Sequence, residues 1–314
     1  MIRNKKILIL GGRGFVGKNL LSRIDCTQNS VTVISRKNFF SKAKIIIADL
    51  TSDHFKINNL INFDIIFNCS GELKDKVIMD QLHIKAQKKM ISFLSKECLR
   101  KKKKIRWVQV SSIGVFGFKN KNENIVIDEE SIKNPSNYYE KTKLESEKIL
   151  ILGANNFFEY IILRPSTIYG KEMKSDFIFK LNHFIKKGLF FYINSKETLF
   201  NMIHIKDVCD ALILCAKKSK KNQDFNLSCN YELKEIVKII CEFNKIKQPR
   251  FVFRKNLVNF IIKFLRNIIN LSLNERIVDI LSSKKIFKSS KIENLLGFKS
   301  SKKLKEGIIE VLNK

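Results

Sequence analysis

Short apolar runs alternate with longer amphipathic ones along the first half of the chain. Ile7 to Leu10 is an unbroken apolar run, as expected of a strand buried on both faces of a parallel sheet. Phe15, Val16, Leu20 and Ile24 then place apolar groups at helical spacing. Further strands are predicted at Val31 to Ile34, Ile45 to Ala48, Asp64 to Cys69, Ile105 to Ser111 and Tyr160 to Leu163. Long helices are predicted over about residues 77–98 and 136–152. That alternation is the pattern of an α/β protein with a doubly wound parallel sheet, whose ligands gather at the carboxyl ends of the strands. Beyond Gly170 the regularity breaks. Helical patterns near 174–187, 206–217, 231–244 and 256–270 mix there with short strands near Phe190 to Ile193 and Asp224 to Leu227. The stretch NLVNFIIKFLRNIINL at 256–271 is amphipathic; it is expected to pack on the body, a membrane surface being the alternative.

Between the first strand and the first helix lies GGRGFVG, residues 11–17. Glycine is the default wherever backbone bends tightly, so the cluster alone is ambiguous. Its context is not: Gly11, Gly14 and Gly17 sit three apart at a strand-to-helix turn, where backbone can approach a pyrophosphate at the helix N-terminus. The fold is therefore expected to be of the Rossmann type. Residues 1–170 read as the dinucleotide-binding domain with the catalytic groups. Residues 171–314 read as a smaller mixed α/β substrate-binding lobe, with room for the chain to return to the main domain.

Composition narrows the classes. At 314 residues with 44% hydrophobic content, the chain can bury a sizeable core. No apolar stretch approaches the roughly 18 residues of a membrane span. Seven scattered cysteines without a CxxC pair argue against a disulfide framework or a zinc site, and no metal is expected. With the N-terminus running straight into the first strand, a cytoplasmic location is expected. The net charge of +30 invites a nucleic-acid reading, but the lysines are spread over the whole chain and no nucleic-acid motif accompanies them. Nucleic acid is accordingly not expected as a partner; a polyanionic small molecule, or the anionic face of a membrane, is.

Tyr139 and Lys143, in YYEKTKLESE, lie four apart on the second long helix and share a face. An ammonium beside a phenol favours the phenolate and draws its pKa down from about 10, which suits proton transfer to or from a hydroxyl. Tyr192 and Lys196 show the same spacing, but in the irregular half, where a partly buried aromatic is the simpler reading. Ser112 closes the strand KIRWVQVSS at the carboxyl edge where the glycine turn also sits, and can hydrogen-bond an oxygen that changes charge.

GGRGFVG, SSIGVFG and YEKTKLESE, in that order and spacing, resemble the extended short-chain dehydrogenase/reductases. More narrowly they resemble the NAD-dependent epimerase/dehydratase group that acts on nucleotide sugars. The resemblance continues through LRPSTIYG, MIHIKDVCDAL and KIENLLGF and so covers nearly the whole chain. It implies that Ser112, Tyr139 and Lys143 are catalytic, with Tyr139 moving the proton and Lys143 also holding the nicotinamide ribose. It implies that Gly11, Arg13, Gly14, Phe15, Val16 and Gly17 surround the pyrophosphate. Asp49 and Leu50 would lie near the adenine, a turn role being the alternative for Asp49, and Ser70 and Gly71 would line the cofactor. Thr167 and His83 would stand with Ser112 at the substrate, in places where the family usually has asparagines. A homodimer through the two long helices is also implied, with Ile84, Met90, Ile91 and Leu94 as apolar residues beyond what one helix face needs.

Departures from the family pattern refine the expectation. VTVISRKN places Ser35, Arg36 and Lys37 where NAD-selective members carry a carboxylate. Arg36, with Arg13, could pair with a 2′-phosphate, so NADP is favoured over NAD. Ile113 and Gly114 follow Ser112 where dehydratases carry an Asp-Glu pair, so dehydration is not expected. Phe200 stands where UDP-sugar epimerases carry an arginine that grips the diphosphate, which leaves the carrier open. The adopted reading is a sugar epimerase acting by transient oxidation of a nucleotide-sugar hydroxyl, in surface-polysaccharide synthesis. The alternatives are an NADPH-dependent ketoreductase of a nucleotide-linked keto sugar and a non-catalytic sensor or RNA-binding scaffold.

Overall fold

Strands form where the apolar runs predict them. In the computed structural model, which describes residues 2–117, 125–173, 177–265 and 275–313, seven strands build the main sheet. They are β1 (Lys6–Leu10), β2 (Ser30–Ser35), β3 (Lys44–Ile47), β4 (Ile65–Asn68), β5 (Ile105–Val110), β6 (Phe158–Pro165) and β7 (Gln223–Leu227). Their order is β7-β6-β5-β4-β1-β2-β3, with every neighbouring pair parallel. The chain winds outward from β1 to β3, then returns to start β4 on the other side of β1. That reversal opens a crevice at the carboxyl ends of the strands flanking β1. Register aligns those ends: Leu10 pairs with Ile34 on one side and Asn68 on the other.

Alternation along β1 explains the layers. Ile7 and Ile9 point to one face, packing with Leu20 of α1 (Phe15–Leu21) and with Val208 and Leu212 of the helix Ile205–Lys218. Leu8 and Leu10 point to the other, packing with Met90 and Leu94 of α2 (Gln87–Lys101) and Leu150 of α3 (Tyr138–Gly153). Both faces are therefore dry, as a parallel sheet requires. Truncating Leu8, fully buried, to alanine would cost about 2–5 kcal/mol. The four residues read as a dimer face find another explanation. Met90, Ile91 and Leu94 are buried and Ile84 half-buried within the single chain. The helices approach so closely that a Cβ on Gly153 would lie 2.3 Å from Ile91 Cγ2.

The second half of the chain also reaches the main sheet. The strand at Asp224 to Leu227, read with the smaller lobe, extends the main sheet as β7. Its polar residues are settled within that sheet, Asn226 being fully buried and Asp224 ion-paired. The unpredicted strand Leu199–His204 pairs with Thr167–Tyr169 in parallel and Cys229–Glu232 antiparallel. A separate apolar core lies around Tyr169, Ile178, Tyr192, Phe200, Ile236 and Ile308. In the helix Lys255–Leu265, Val258 is buried while Leu257 and Phe260 are exposed; residues 266–271 of that predicted helix lie outside the described residues. All seven cysteines are free thiols.

Candidate active site

The glycine turn is shaped by close approach. Gly11 has φ +72°, and a Cβ there would lie 2.7 Å from the Cα of Ser70. A Cβ at Gly17 would meet the Gly11 carbonyl oxygen at 2.4 Å, so both positions exclude a side chain. Gly14 caps α1, its N–H donating to Gly11 O at 2.9 Å, and no side chain caps that first turn. The turn opens into a cavity of about 700 Å³ that runs past Arg13, Ser35 to Lys37, Asp49 to Thr51, and Ser70 to Gly71. This side-chain-free cradle with a long, partly cationic cavity fits a dinucleotide. Phe15 and Val16 pack on the sheet core behind the turn. Leu50, buried in the opposite core, also lines the cavity.

At the far end of the cavity, the Ser35 hydroxyl donates to Lys37 O at 2.8 Å. Arg36, Lys37 and Arg13 are exposed and line the cavity, and Ser35 to Lys37 offer no carboxylate. Asp49 is exposed there, and it accepts from the Thr51 N–H at 2.9 Å and the Thr51 hydroxyl at 2.7 Å. Those bonds first, and Arg36 to a smaller degree, hold its carboxyl below the usual range. Asp49 thus serves the turn while facing the cavity.

A buried amide network fixes the turn after β4. Asn68 donates to Gln87 Oε1 at 3.2 Å and Gln109 Oε1 at 3.1 Å, while its Oδ1 accepts from the Ser70 N–H at 3.1 Å and from the Ser70 hydroxyl. Ser70 and Gly71 are thereby locked opposite Gly11. His83 lies in a π-helical stretch, Asp80–Ala86, a geometry common at functional sites. Its Nε2 accepts from the Glu72 N–H at 3.0 Å, and its Nδ1 lies 2.9 Å from Thr142 Oγ1, whose hydroxyl donates to Tyr139 O. An acceptor Nε2 places the proton on Nδ1, so the ring links the Glu72 loop to α3. Both nitrogens of this expected substrate contact are engaged by protein groups. Burial, then the Lys143 charge, pushes its pKa down to about 3.

Reciprocal caps set the start of α3. Asn137 accepts from the Glu140 N–H at 3.0 Å, and Glu140 accepts from the Ser136 N–H at 2.7 Å. The next turns bring Tyr139 and Lys143 to the carboxyl edge of β5. Lys143 Nζ donates to Val110 O at 3.1 Å and sits 5.9 Å from the Tyr139 ring centroid. The Tyr139 ring meets His83 edge-on at 6.0 Å. Ser112 follows two residues after Val110, and its hydroxyl accepts from the Gly114 N–H at 3.1 Å. Glu140 packs so closely on that turn that a Cβ at Gly114 would lie 2.8 Å from Glu140 Cγ. Ser112 thus lies in the chain between Val110, which Lys143 meets, and Gly114, on which Glu140 packs. Gly71 brings the cavity beside the Tyr139–Lys143 helix: a Cβ there would lie 3.7 Å from Lys143 Nζ. Burial lowers the Lys143 ammonium to about pKa 8, with Cys69 and Glu147 opposing the shift.

Sequence reasoning missed the layer beneath. Glu147 continues the Tyr139–Lys143 face by four residues, a signal present in the sequence. Its carboxylate accepts from Ser111 Oγ at 2.6 Å and from Arg164 Nε and Nη2 at 2.9 Å each. Arg164, fully buried, also pairs with Asp224 at 2.7 Å, which Lys291 meets at 2.9 Å. This bidentate network ties α3, β5, β6 and β7 together behind the catalytic edge. Lys285, also missed, is buried and donates to Gly117 O at 3.2 Å, so the lobe brings a cation to the turn that follows Ser112. Thr167 is exposed at the start of its short strand, pairing with Met202. Phe200 is buried and stacks on Phe177, centroids 4.0 Å apart and planes within 14°. Among the described residues, no group of three or more His, Cys, Asp or Glu is placed to hold a metal.

A Rossmann-type sheet, a glycine cradle and a Tyr-x-x-x-Lys helix at the edge of β5 define an extended short-chain dehydrogenase/reductase. The family model of the NAD dependent epimerase/dehydratase family matches residues 7–228, and the chain belongs to that family. It is 22% identical over 214 residues to an N-acetyl-α-D-glucosaminyl-diphospho-ditrans,octacis-undecaprenol 4-epimerase of Escherichia coli O157:H7, covering 66% of this chain and 62% of the relative. It is 24% identical over 271 residues to a dTDP-D-glucose 4,6-dehydratase of Dictyostelium discoideum, covering 74% of this chain and 60% of that one. The chain thus spans about three fifths of the length of these two relatives. The structure of the UDP-glucuronic acid 4-epimerase of Bacillus cereus in complex with NAD superimposes with TM-score 0.74 at 15% identity, over 98% of this chain and 97% of the other. That likeness speaks for the fold.

Proposed function

We propose that the chain is a nicotinamide-dependent sugar 4-epimerase, working in surface-polysaccharide synthesis by transient oxidation of a carrier-linked sugar. The observation that carries the reading is the placement of Tyr139, Lys143 and the Ser112 turn at one sheet edge, beside the glycine cradle. When bound, a nicotinamide supplies reversible hydride acceptance. The chain's own task is then the proton and the charge. Tyr139, as the phenolate, takes the proton of the sugar hydroxyl to become the phenol and returns it on reduction, while the Ser112 hydroxyl donates a hydrogen bond to the same sugar oxygen. Lys143, its stem buried and its Nζ fixed on Val110 O, keeps a positive charge near the phenol. Ile113 and Gly114, buried directly after Ser112, supply neither acid nor base, which argues against dehydration.

Phe200 leaves the carrier open. With a stacked, buried phenylalanine in that place, the side chain there has no charge for a diphosphate. A relative that acts on a polyprenol-diphosphate-linked N-acetylglucosamine makes a lipid-linked sugar as reasonable a substrate as a UDP-sugar. Ketoreduction with NADPH is the second reading, favoured by Arg36 and Lys37 at the adenosine end.

Incubation of the purified chain with UDP-hexoses, UDP-N-acetylhexosamines and a short-chain polyprenyl diphosphate N-acetylhexosamine, followed by NMR, tests the proposal. Epimer formed without net consumption of nicotinamide supports it. Reduction of a 4-keto sugar with stoichiometric loss of NADPH replaces it by the second reading.

A further inference from the structure

At one edge of the smaller lobe, the strand Val252–Phe253 pairs with Tyr192–Ile193 and leads into the helix Lys255–Leu265. Large apolar side chains stand in solvent around this corner: Phe251 is 72% exposed and Phe260 69%, with Val252, Phe253 and Leu257 exposed beside them. The rings are organised. Phe251 and Phe253 lie within 17° of parallel at 6.5 Å, and Phe253 meets Phe191 edge-on at 5.0 Å. Val258 turns inward with Ile193 and Val278, so the helix is anchored while Leu257 and Phe260 face out.

Cations dominate the charge around this ridge. Between Glu242 and Glu275 the sequence carries seven lysines and arginines and no carboxylate. Lys245, Lys247, Arg250 and Arg254 are exposed, whereas Lys255 is paired with Asp279 at 2.7 Å. We propose that this ridge docks the chain onto an anionic bilayer surface. Phenylalanine and leucine enter the headgroup boundary while the long cationic side chains reach lipid phosphates. Nucleic acid fits less well, because aliphatic Val252 and Leu257 share the ridge and the rings pack on one another. The attachment is peripheral, since among the described residues no helix is long and apolar enough to cross a membrane. The ridge is also joined to the catalytic edge. Asp279, paired to Lys255, lies in the helix Glu275–Leu281, and the chain soon reaches Lys285, whose Nζ holds Gly117 O at 3.2 Å.

The inference goes beyond the catalytic reading and does not depend on it. Its test is co-sedimentation of the full chain with phosphatidylcholine vesicles, with and without about 30% phosphatidylglycerol. Binding is expected to the anionic vesicles, to weaken with salt, and to fall about tenfold in a Phe251→Ser/Phe260→Ser variant and in an Arg250→Glu/Arg254→Glu variant. The second variant carries the test if the first fails to fold, as judged by its melting temperature. Absence of binding to anionic vesicles at low salt, or binding unchanged in the folded variants, overturns the proposal. Capture of single-stranded RNA in place of vesicles, lost in the same variants, overturns it in favour of nucleic acid.

Discussion

The two halves of the site are built on different principles. On the cofactor side, backbone does the work: Gly11 and Gly17 are shaped by approaches of 2.7 and 2.4 Å that no side chain allows, and Asn68 locks the facing turn from beneath. On the substrate side, single side chains from distant segments meet: Lys285 from near the end of the chain reaches Gly117, and Phe200 stacks on Phe177. A backbone cradle tolerates few sequences and serves one ligand class, whereas a constellation of side chains can be exchanged residue by residue. In the proposed function, the first half would fix the chemistry and the second would set what the chemistry acts on.

Removing the proposed proton shuttle separates the halves most sharply. Tyr139→Phe should lower turnover by about 10²–10⁴-fold with nicotinamide affinity unchanged, measured by epimer formation and by fluorescence titration. Next comes the buried network they share. Arg164→Met strands Glu147 without its bidentate partner and should destabilise the fold by about 3–5 kcal/mol in chemical denaturation. A smaller effect is expected at the adenosine end, where Arg36→Glu should shift preference from NADPH toward NADH by about tenfold without altering the choice of sugar. The mildest is set by pH. The folded Lys143 loses its proton near pH 8, well below an unfolded lysine, so turnover should be about halved at pH 8 and fall further above it. Stability moves the opposite way in that window, since the unfolded chain binds the extra proton and folding gains as pH rises from about 8 toward 10.

The same contrast explains what the sequence made legible. Glycine spacing, apolar runs and the Tyr-x-x-x-Lys repeat are local signals, and they located the crevice, β1 to β6 and the catalytic helix. Strand β7 was legible as a short strand but not as a member of the main sheet, because its polar Asp224 and Asn226 are satisfied or buried only through tertiary neighbours. Glu147 and Arg164 were visible as residues but not as a pair, since 17 positions separate them and the contact exists only across layers. His83 looked like a substrate contact by position, and only its two ring partners show what it holds together. Exposed Phe251 and Phe260 could not be told from core residues by hydropathy, which does not report which face a neighbouring strand will cover.

The most direct measurement is a titration of the purified chain with NADH and NADPH, paired with an assay of nicotinamide dinucleotide released on denaturation. The account predicts either retained cofactor at about one per chain or saturable binding in the micromolar range, lost when Gly11 is replaced by a larger residue. Binding of neither dinucleotide, with none released, would reduce the glycine cradle to a tight turn and contradict the account.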